Sequence, residues 1–221
     1  MLIIYKALTD SNGTASQYSH LLPPALASRI AQYKKNQDQQ SRIIAKLVLH
    51  RLLLDFQLPF SLLDLQYLPS NKPYFASPSF DFSTAHCSGM VLCGGLLDTM
   101  SIATDQPPAR PVQLGIDVEF IDRNLDLNLY RDYLHPTEWA FILHSTDIPK
   151  AFYSIWTRKE AFAKATGIGI DLVFRQHDMS SDIIEYQNTT YYVQDLIIDG
   201  CYMAAVISTK HLIINILDFS L

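Results

Sequence analysis

Apolar and polar positions alternate along Gln113-Leu114-Gly115-Ile116-Asp117-Val118-Glu119-Phe120. That period of two predicts a strand on which Asp117 and Glu119 share one face while Ile116 and Val118 point into the core. Met1-Leu2-Ile3-Ile4-Tyr5-Lys6 reads as an opening strand. From Ala25 to Phe56 the residues Ile30, Tyr33, Ile43, Ile44, Leu47, Val48 and Leu52 recur at helical spacing, which predicts a helix in two pieces, ended by Pro59. Leu63 to Tyr74 reads as loop and short strand. Phe80–Ser83 and Met90–Cys93 read as strands on either side of a turn that holds His86. Gly94 to Pro111 contains Asp105-Gln106-Pro107-Pro108-Ala109-Arg110-Pro111, which cannot continue a ladder and is expected as loop. Leu127–Asp132 and Pro136–His144 predict short helices, and Pro149–Thr166 a longer one with proline in its first turn and Gly167 at its end. Tyr191–Val193, Cys201–Ile207 and Leu212–Leu217 predict strands. The order gives an α+β chain with helix and strands in each half, roughly 1–105 and 112–221, and no sequence repeat relates the halves.

The long helix changes the picture because it carries Ile155-Trp156-Thr157-Arg158-Lys159-Glu160-Ala161-Phe162-Ala163-Lys164. Glu160 and Lys164, four apart, share a helix face. If that face meets the strand bearing Asp117 and Glu119, the result is an oxygen-rich pocket with one ammonium beside it, suited to holding magnesium against a substrate phosphate. Candidate metal ligands confined to carboxylates favour Mg2+, or Mn2+, over zinc. The chain lacks the P-loop, G-x-S-x-G and H-E-x-x-H patterns.

Composition and charge narrow the field further. With 221 residues, 48% of them hydrophobic, the chain can bury a core without help. No apolar run is long enough to span a membrane and the N-terminus is too short for a signal sequence, so a cytoplasmic location with no membrane partner is expected. Cys87, Cys93 and Cys201 lack zinc spacing and read as reduced thiols. A net charge of −5 argues against a general nucleic-acid binder. Locally, Arg29, Lys34, Lys35, Arg42, Lys46 and Arg51 concentrate cations with only Asp38 among them, as a phosphate-bearing ligand or an acidic protein partner would require. For any single lysine of that run, a solvated helix face is the alternative.

The motif pair G-I-D-V-E and W-T-R-K-E-A-F-A-K resembles the signature of the 4'-phosphopantetheinyl transferases, specifically the long, two-lobed Sfp type. Asn71-Lys72-Pro73 and Phe82-Ser83-Thr84-Ala85-His86-Cys87 resemble the family's G-K-P and F-N-x-S-H-S blocks, and the stretch from Leu22-Pro23-Pro24 through Arg29 to Arg42 resembles its N-terminal basic region. The resemblance implies two similar, pseudo-symmetric α+β lobes with the active site in the cleft between them. It implies transfer of the phosphopantetheine arm of coenzyme A to a serine of an apo acyl or peptidyl carrier protein, with Mg2+ and release of adenosine 3',5'-bisphosphate. The chain is expected to act as a monomer.

By the same resemblance Asp117, Glu119 and Glu160 are metal ligands, and Lys164 contacts the pyrophosphate. Glu138 is a general base for the carrier serine. Arg29, Arg42, Lys72 and His86 contact the coenzyme, His86 at its 3'-phosphate. The chain departs from the family at Leu26, where a basic residue is expected, and at Ser83, Ala85 and Cys87, which replace an asparagine and two serines. Fewer cations imply weaker coenzyme binding, not a different reaction.

Bland readings stand beside these. Asp117 and Glu119 could be the exposed face of an edge strand. Glu160 and Lys164 could be an i,i+4 surface pair worth ~0.3–0.5 kcal/mol. Glu138, early in its helix, could be ordinary N-terminal charge compensation. A metal-dependent phosphohydrolase and a catalytically silent coenzyme-binding protein are the alternative functions.

Overall fold

The computed structural model of the chain describes residues 2–9, 16–98 and 111–220. The proline-rich stretch before Pro111 lies outside the described residues. Contacts divide the chain into two units. The first runs up to Val112 and takes in the C-terminal segment from Leu212; the second is Gln113–His211.

In the first unit, strand β1 (Leu2–Leu8) is followed by helices α1 (Ser16–Ser19), α2 (Pro24–Ile30) and α3 (Asn36–Asp55). The expected break between the two helical pieces is therefore present. A short 3-10 turn at Leu62–Asp64 and a two-stranded ribbon, β2 (Gln66–Tyr67) and β3 (Pro73–Tyr74), lead into the hairpin of β4 (Phe80–Cys87) and β5 (Met90–Leu97). His86 thus belongs to β4 and not to the turn, and Gly94–Leu97 continues a strand where loop was expected.

The sheet order is β10-β1-β5-β4, with the last strand β10 (Ile214–Asp218) parallel to β1 and the other pairs antiparallel. The expected boundary of 112–221 would have placed that strand in the second unit. Ile43, Val48, Leu49, Leu52 and Leu53 of α3 pack with Phe75, Phe80 and Phe82 into one core. Phe75 tilts against both strand phenylalanines, 6.3 Å from Phe80 and 5.5 Å from Phe82, within the range in which aromatic pairs attract.

The second unit has a matching plan of one four-stranded sheet and one long helix. Strand β6 (Leu114–Phe120) is followed by a 3-10 segment (Leu127–Tyr133), helix α4 (Pro136–Leu143), helix α5 (Ile148–Thr166) and strands β7 (Ile183–Tyr186), β8 (Thr189–Ile198) and β9 (Tyr202–Ser208). All pairs are antiparallel, in the order β6-β9-β8-β7. Asp147 caps α5 by accepting from the backbone of Lys150, and Gly167 ends it at φ 74°, a left-handed conformation that favours glycine. Trp156 is a packing anchor, with ring contacts to Phe152, Tyr130 and Phe174.

Strand β6 lies directly on α5. A Cβ on Gly115 would sit 1.8 Å from the Ala161 carbonyl oxygen and 2.6 Å from the Ala165 nitrogen, so only glycine allows the two backbones to touch. Since the obstacle is helix backbone and not a flexible side chain, overpacking cannot be relieved locally. Gly115→Ala is expected to lower the free energy of unfolding by about 3 kcal/mol in urea titrations; an unchanged midpoint would refute the close approach.

Candidate active site

The strand–helix contact brings the motif residues together. Gly115, Asp117 and Glu119 alternate along β6, and the face that meets α5 at Gly115 delivers Asp117 to Lys164, three residues beyond Ala161. Asp117 is only 4% exposed. Its Oδ1 accepts from Lys164 Nζ at 2.7 Å, and the same ammonium donates to the Ile116 carbonyl at 3.1 Å. Its Oδ2 is buried without a hydrogen-bond partner. Lys164 therefore pairs across to the strand and not with Glu160 along its own helix, and Asp117 is not an exposed edge-strand acid.

Burial, joined at the two glutamates by like charge, sets the acidities. Burial pushes the Asp117 carboxyl up, against the pull of Lys164. Burial raises Glu119 to about 8, helped by the charges of Asp117 and Glu160. Glu160 is raised by burial and then by Asp117, with Lys164 opposing. Three carboxylates within electrostatic reach, one with an orphaned oxygen, form a donor set suited to a hard divalent cation. They are not closed into a cage: among the described residues no three His, Cys, Asp or Glu side chains stand close enough to hold a metal as they are.

Glu138 is placed elsewhere, at odds with the general-base expectation. It is fully buried, as is Lys159, whose Nζ lies 2.9 Å from Glu138 Oε1. The carboxylate also accepts from the backbone nitrogens of His135 and Met179, each at 2.8 Å, the first of these closing a capping box on α4. Lys159 donates in addition to the His177 carbonyl at 2.9 Å, and burial lowers its pKa while Glu138 holds it up. With no accessible oxygen, Glu138 cannot receive a proton from a protein substrate. It ties α4, α5 and the 177–179 segment together. Arg158 does similar work, donating to both oxygens of Asp195 at 2.8 and 3.0 Å and so fixing α5 to β8.

An open cavity of about 530 Å³ beneath the start of α5 includes Phe141, Lys150, Ile197 and Met203 in its lining. It contains none of the motif residues, and its carboxylates Asp147 and Asp195 are engaged by Arg123 and Arg158.

In the first unit, Arg29 and Arg42 both stack on tyrosines. The Arg29 guanidinium carbon is 4.5 Å from the Tyr67 ring centre and that of Arg42 is 3.9 Å from Tyr33. The Arg42 Nε is buried without a partner. Burial pulls down the pKa of Lys46, one helical turn beyond Arg42, and the charges of Arg42 and Arg29 act in the same direction against Cys93. The three cations thus feel one another, and none forms an ion pair among the described residues. His86 is exposed near the end of β4. Lys72 already has a carboxylate, with Nζ 2.7 Å from Asp81 Oδ2.

A sequence profile described as the 4'-phosphopantetheinyl transferase superfamily matches residues 113–208. A Synechocystis protein described as a candidate 4'-phosphopantetheinyl transferase is 30% identical over 178 residues, covering 77% of this chain and 67% of that protein. The chain belongs to the 4'-phosphopantetheinyl transferase superfamily. An L-aminoadipate-semialdehyde dehydrogenase-phosphopantetheinyl transferase of Schizosaccharomyces pombe is 27% identical over 186 residues, 71% of this chain and 70% of that one. The crystal structure of Thermotoga maritima holo-[acyl-carrier-protein] synthase superposes with a TM-score of 0.31 and 19% identity over 43% of this chain and 61% of the synthase.

Burial in the first unit accounts for two departures from the motif pattern. Leu26 packs against the core of the first unit, and Ala85 is 2% exposed, so each apolar residue suits its burial. Sequence reasoning assigned no role to Lys159, although it lies inside the motif beside Glu160, nor did it separate Lys46 from the general basic run. The i,i+4 spacing of Arg42 and Lys46 was the available signal for the latter. The buried Glu138–Lys159 pair gives a direct test. Lys159→Met should cost about 3–5 kcal/mol by leaving a buried carboxylate uncompensated. The Glu138→Leu/Lys159→Met double variant should cost clearly less than the sum of the single changes in a double-mutant cycle by urea denaturation. Additive losses would show that the two do not act as a pair.

Proposed function

We propose that the chain transfers the 4'-phosphopantetheine moiety of coenzyme A to a serine hydroxyl of an apo acyl or peptidyl carrier protein. Asp117, Glu119 and Glu160 would hold Mg2+ or Mn2+. The serine oxygen–phosphorus bond forms as the hydroxyl gives up its proton to solvent, the phosphorus–oxygen bond to the leaving group breaks, and adenosine 3',5'-bisphosphate departs with the electron pair of that bond. The single observation that carries the reading is the buried Asp117 between Lys164 and an unsatisfied oxygen, beside two further carboxylates, in a chain of this superfamily.

The pyrophosphate of coenzyme A repels an approaching nucleophile until its charge is offset. The metal supplies Lewis-acid stabilisation of that charge when bound. Asp117, Glu119 and Glu160 supply the hard oxygen donors that select it. Lys164 contributes a point charge on a flexible stem, able to follow a phosphate oxygen. Arg29, Arg42 and Lys46, stacked or partly buried and without carboxylate partners, suit the coenzyme's phosphates, with His86 and Lys72 as further contacts. Against Glu138 as the base for the serine proton stands its burial, with both oxygens already accepting hydrogen bonds.

Intact-mass analysis of apo carrier proteins incubated with the chain, coenzyme A and Mg2+ tests the reading. A gain of ~340 Da, the phosphopantetheinyl group, is expected. Consumption of coenzyme without a mass gain would indicate a phosphohydrolase, and coenzyme bound with neither partner changed would indicate a silent binding protein. Asp117→Asn and Glu160→Gln should each lower kcat by ~100-fold or more with thermal unfolding little changed; wild-type turnover in either variant would remove the carboxylates from the mechanism.

The cation cluster yields a separate expectation. Arg42→Ala and Lys46→Met should each raise KM for coenzyme A ~10- to 100-fold, the worth of one charge-assisted hydrogen bond of about 1.5–3 kcal/mol. An unchanged KM in both variants would place the phosphates elsewhere.

A further inference from the structure

We propose that Lys164 is a built-in counter-cation that competes with the divalent metal for Asp117, so that metal loading and release of Lys164 toward the substrate phosphate are one coupled event. This rests on the metal-dependent reading above and adds to it a reason for the observed pairing. A carboxylate as buried as Asp117 cannot remain charged without a partner, and Lys164 Nζ at 2.7 Å from Oδ1 supplies one. The alternative partner along the helix, Glu160, is left to the metal-facing set.

Oδ2 of Asp117 remains buried without a hydrogen-bond partner, so the carboxylate keeps acceptor capacity that neither the Lys164 ammonium nor the neighbouring Val118 N–H fills. Glu119 follows Asp117 on the same face of β6, and Glu160 stands one turn before Lys164 on α5, so two further carboxylates belong to the same strand–helix contact. One ammonium is thus set against three carboxylates that are not yet closed around an ion.

A dication brought to Oδ2 would sit next to the ammonium on Oδ1 of the same carboxylate, and the two cations would repel. Lys164 then has reason to leave Asp117. Its stem is long, its side chain is half-buried and not locked in the core, and its second bond to the Ile116 carbonyl at 3.1 Å can hold it nearby. Freed from Asp117, its charge becomes available to a phosphate only once the metal site is filled. By linkage, whatever the metal does to the Lys164–Asp117 pair, that pair does in equal measure to the metal. A lysine that merely supports Asp117 as a ligand would have the opposite sign, since its loss would loosen the ligand.

The test is Mn2+ binding to the full chain without coenzyme, followed by the paramagnetic resonance signal of free Mn2+. Lys164→Met is expected to bind Mn2+ ~10-fold more tightly than the wild type, while Lys164→Arg, which keeps the positive charge, stays near the wild-type value. Equal or weaker binding by Lys164→Met overturns the proposal. In the wild type, the rate of Lys164 acetylation, read by peptide mass spectrometry, should rise several-fold when Mn2+ saturates the site. An unchanged rate overturns the proposal even if Lys164→Met does not fold. If Asp117→Asn binds Mn2+ as tightly as the wild type, the carboxylate site itself is wrong and the proposal falls with it, an outcome distinct from failure of the competition alone.

Discussion

The absence of a side chain at Gly115 is the constraint on which the second unit depends. With strand backbone against helix backbone at Ala161 and Ala165, β6 and α5 are closer than any other residue at 115 would allow. Two residues along the strand, the same face delivers Asp117 beneath Lys164, so the site is a consequence of the packing distance and not of loop conformation. Ala161 and Ala165, small and four apart, form the groove that receives the strand. Sites held by regular elements keep their geometry better than sites on loops, and the charged cluster here has a strand on one side and a nineteen-residue helix on the other.

The two units carry opposite electrostatic deficits. In the second, Asp117, Glu119 and Glu160 share one nearby ammonium, and burial raises all three carboxyls. In the first, Arg29, Arg42 and Lys46 gather without an ion-pair partner among the described residues. Structural charges behave differently. Glu138 and Lys159 pair with each other and with nearby backbone, as do Arg158 and Asp195. A buried charge that is fully matched holds the fold; one that is left short retains affinity for something else.

That distinction also explains what could be read from the sequence. Periodicity sufficed for β6 and α5 and for the shared face of Asp117 and Glu119, because each is a local pattern with an apolar stripe or a glycine stop, and for the break between α2 and α3, where a polar gap separates Tyr33 from Ile43. Lys164's choice of Asp117 over Glu160 was not legible, since helical spacing offers Glu160 equally and only the burial of Asp117 decides. Glu138 was ambiguous for the same reason. Its position at the third residue of α4 fits a capping box, but the partners that bury it, Lys159 and Met179, come from distant segments. Strand β7 has no alternation to mark it, because its two isoleucines are adjacent, Ile183 facing out at 54% exposed and Ile184 buried. The last strand was recognised as a strand, but its parallel pairing with β1 is a tertiary choice with no local marker.

The departures from the family motifs follow from the same separation of matched and unmatched groups. At Leu26 the chain spends a position on α2 on the apolar core, where a cation would have to be desolvated. One turn beyond Arg42, Lys46 lies partly buried beside the two arginines, with its pKa drawn down by that burial. A lysine in such a place is less hydrated to begin with, so an arriving anion displaces less water from it and restores its charge more fully than it would for an exposed lysine. The basic region of this chain therefore holds three charges, Arg29 on α2 and Arg42 and Lys46 on α3, where the i,i+4 spacing puts the last two on one face.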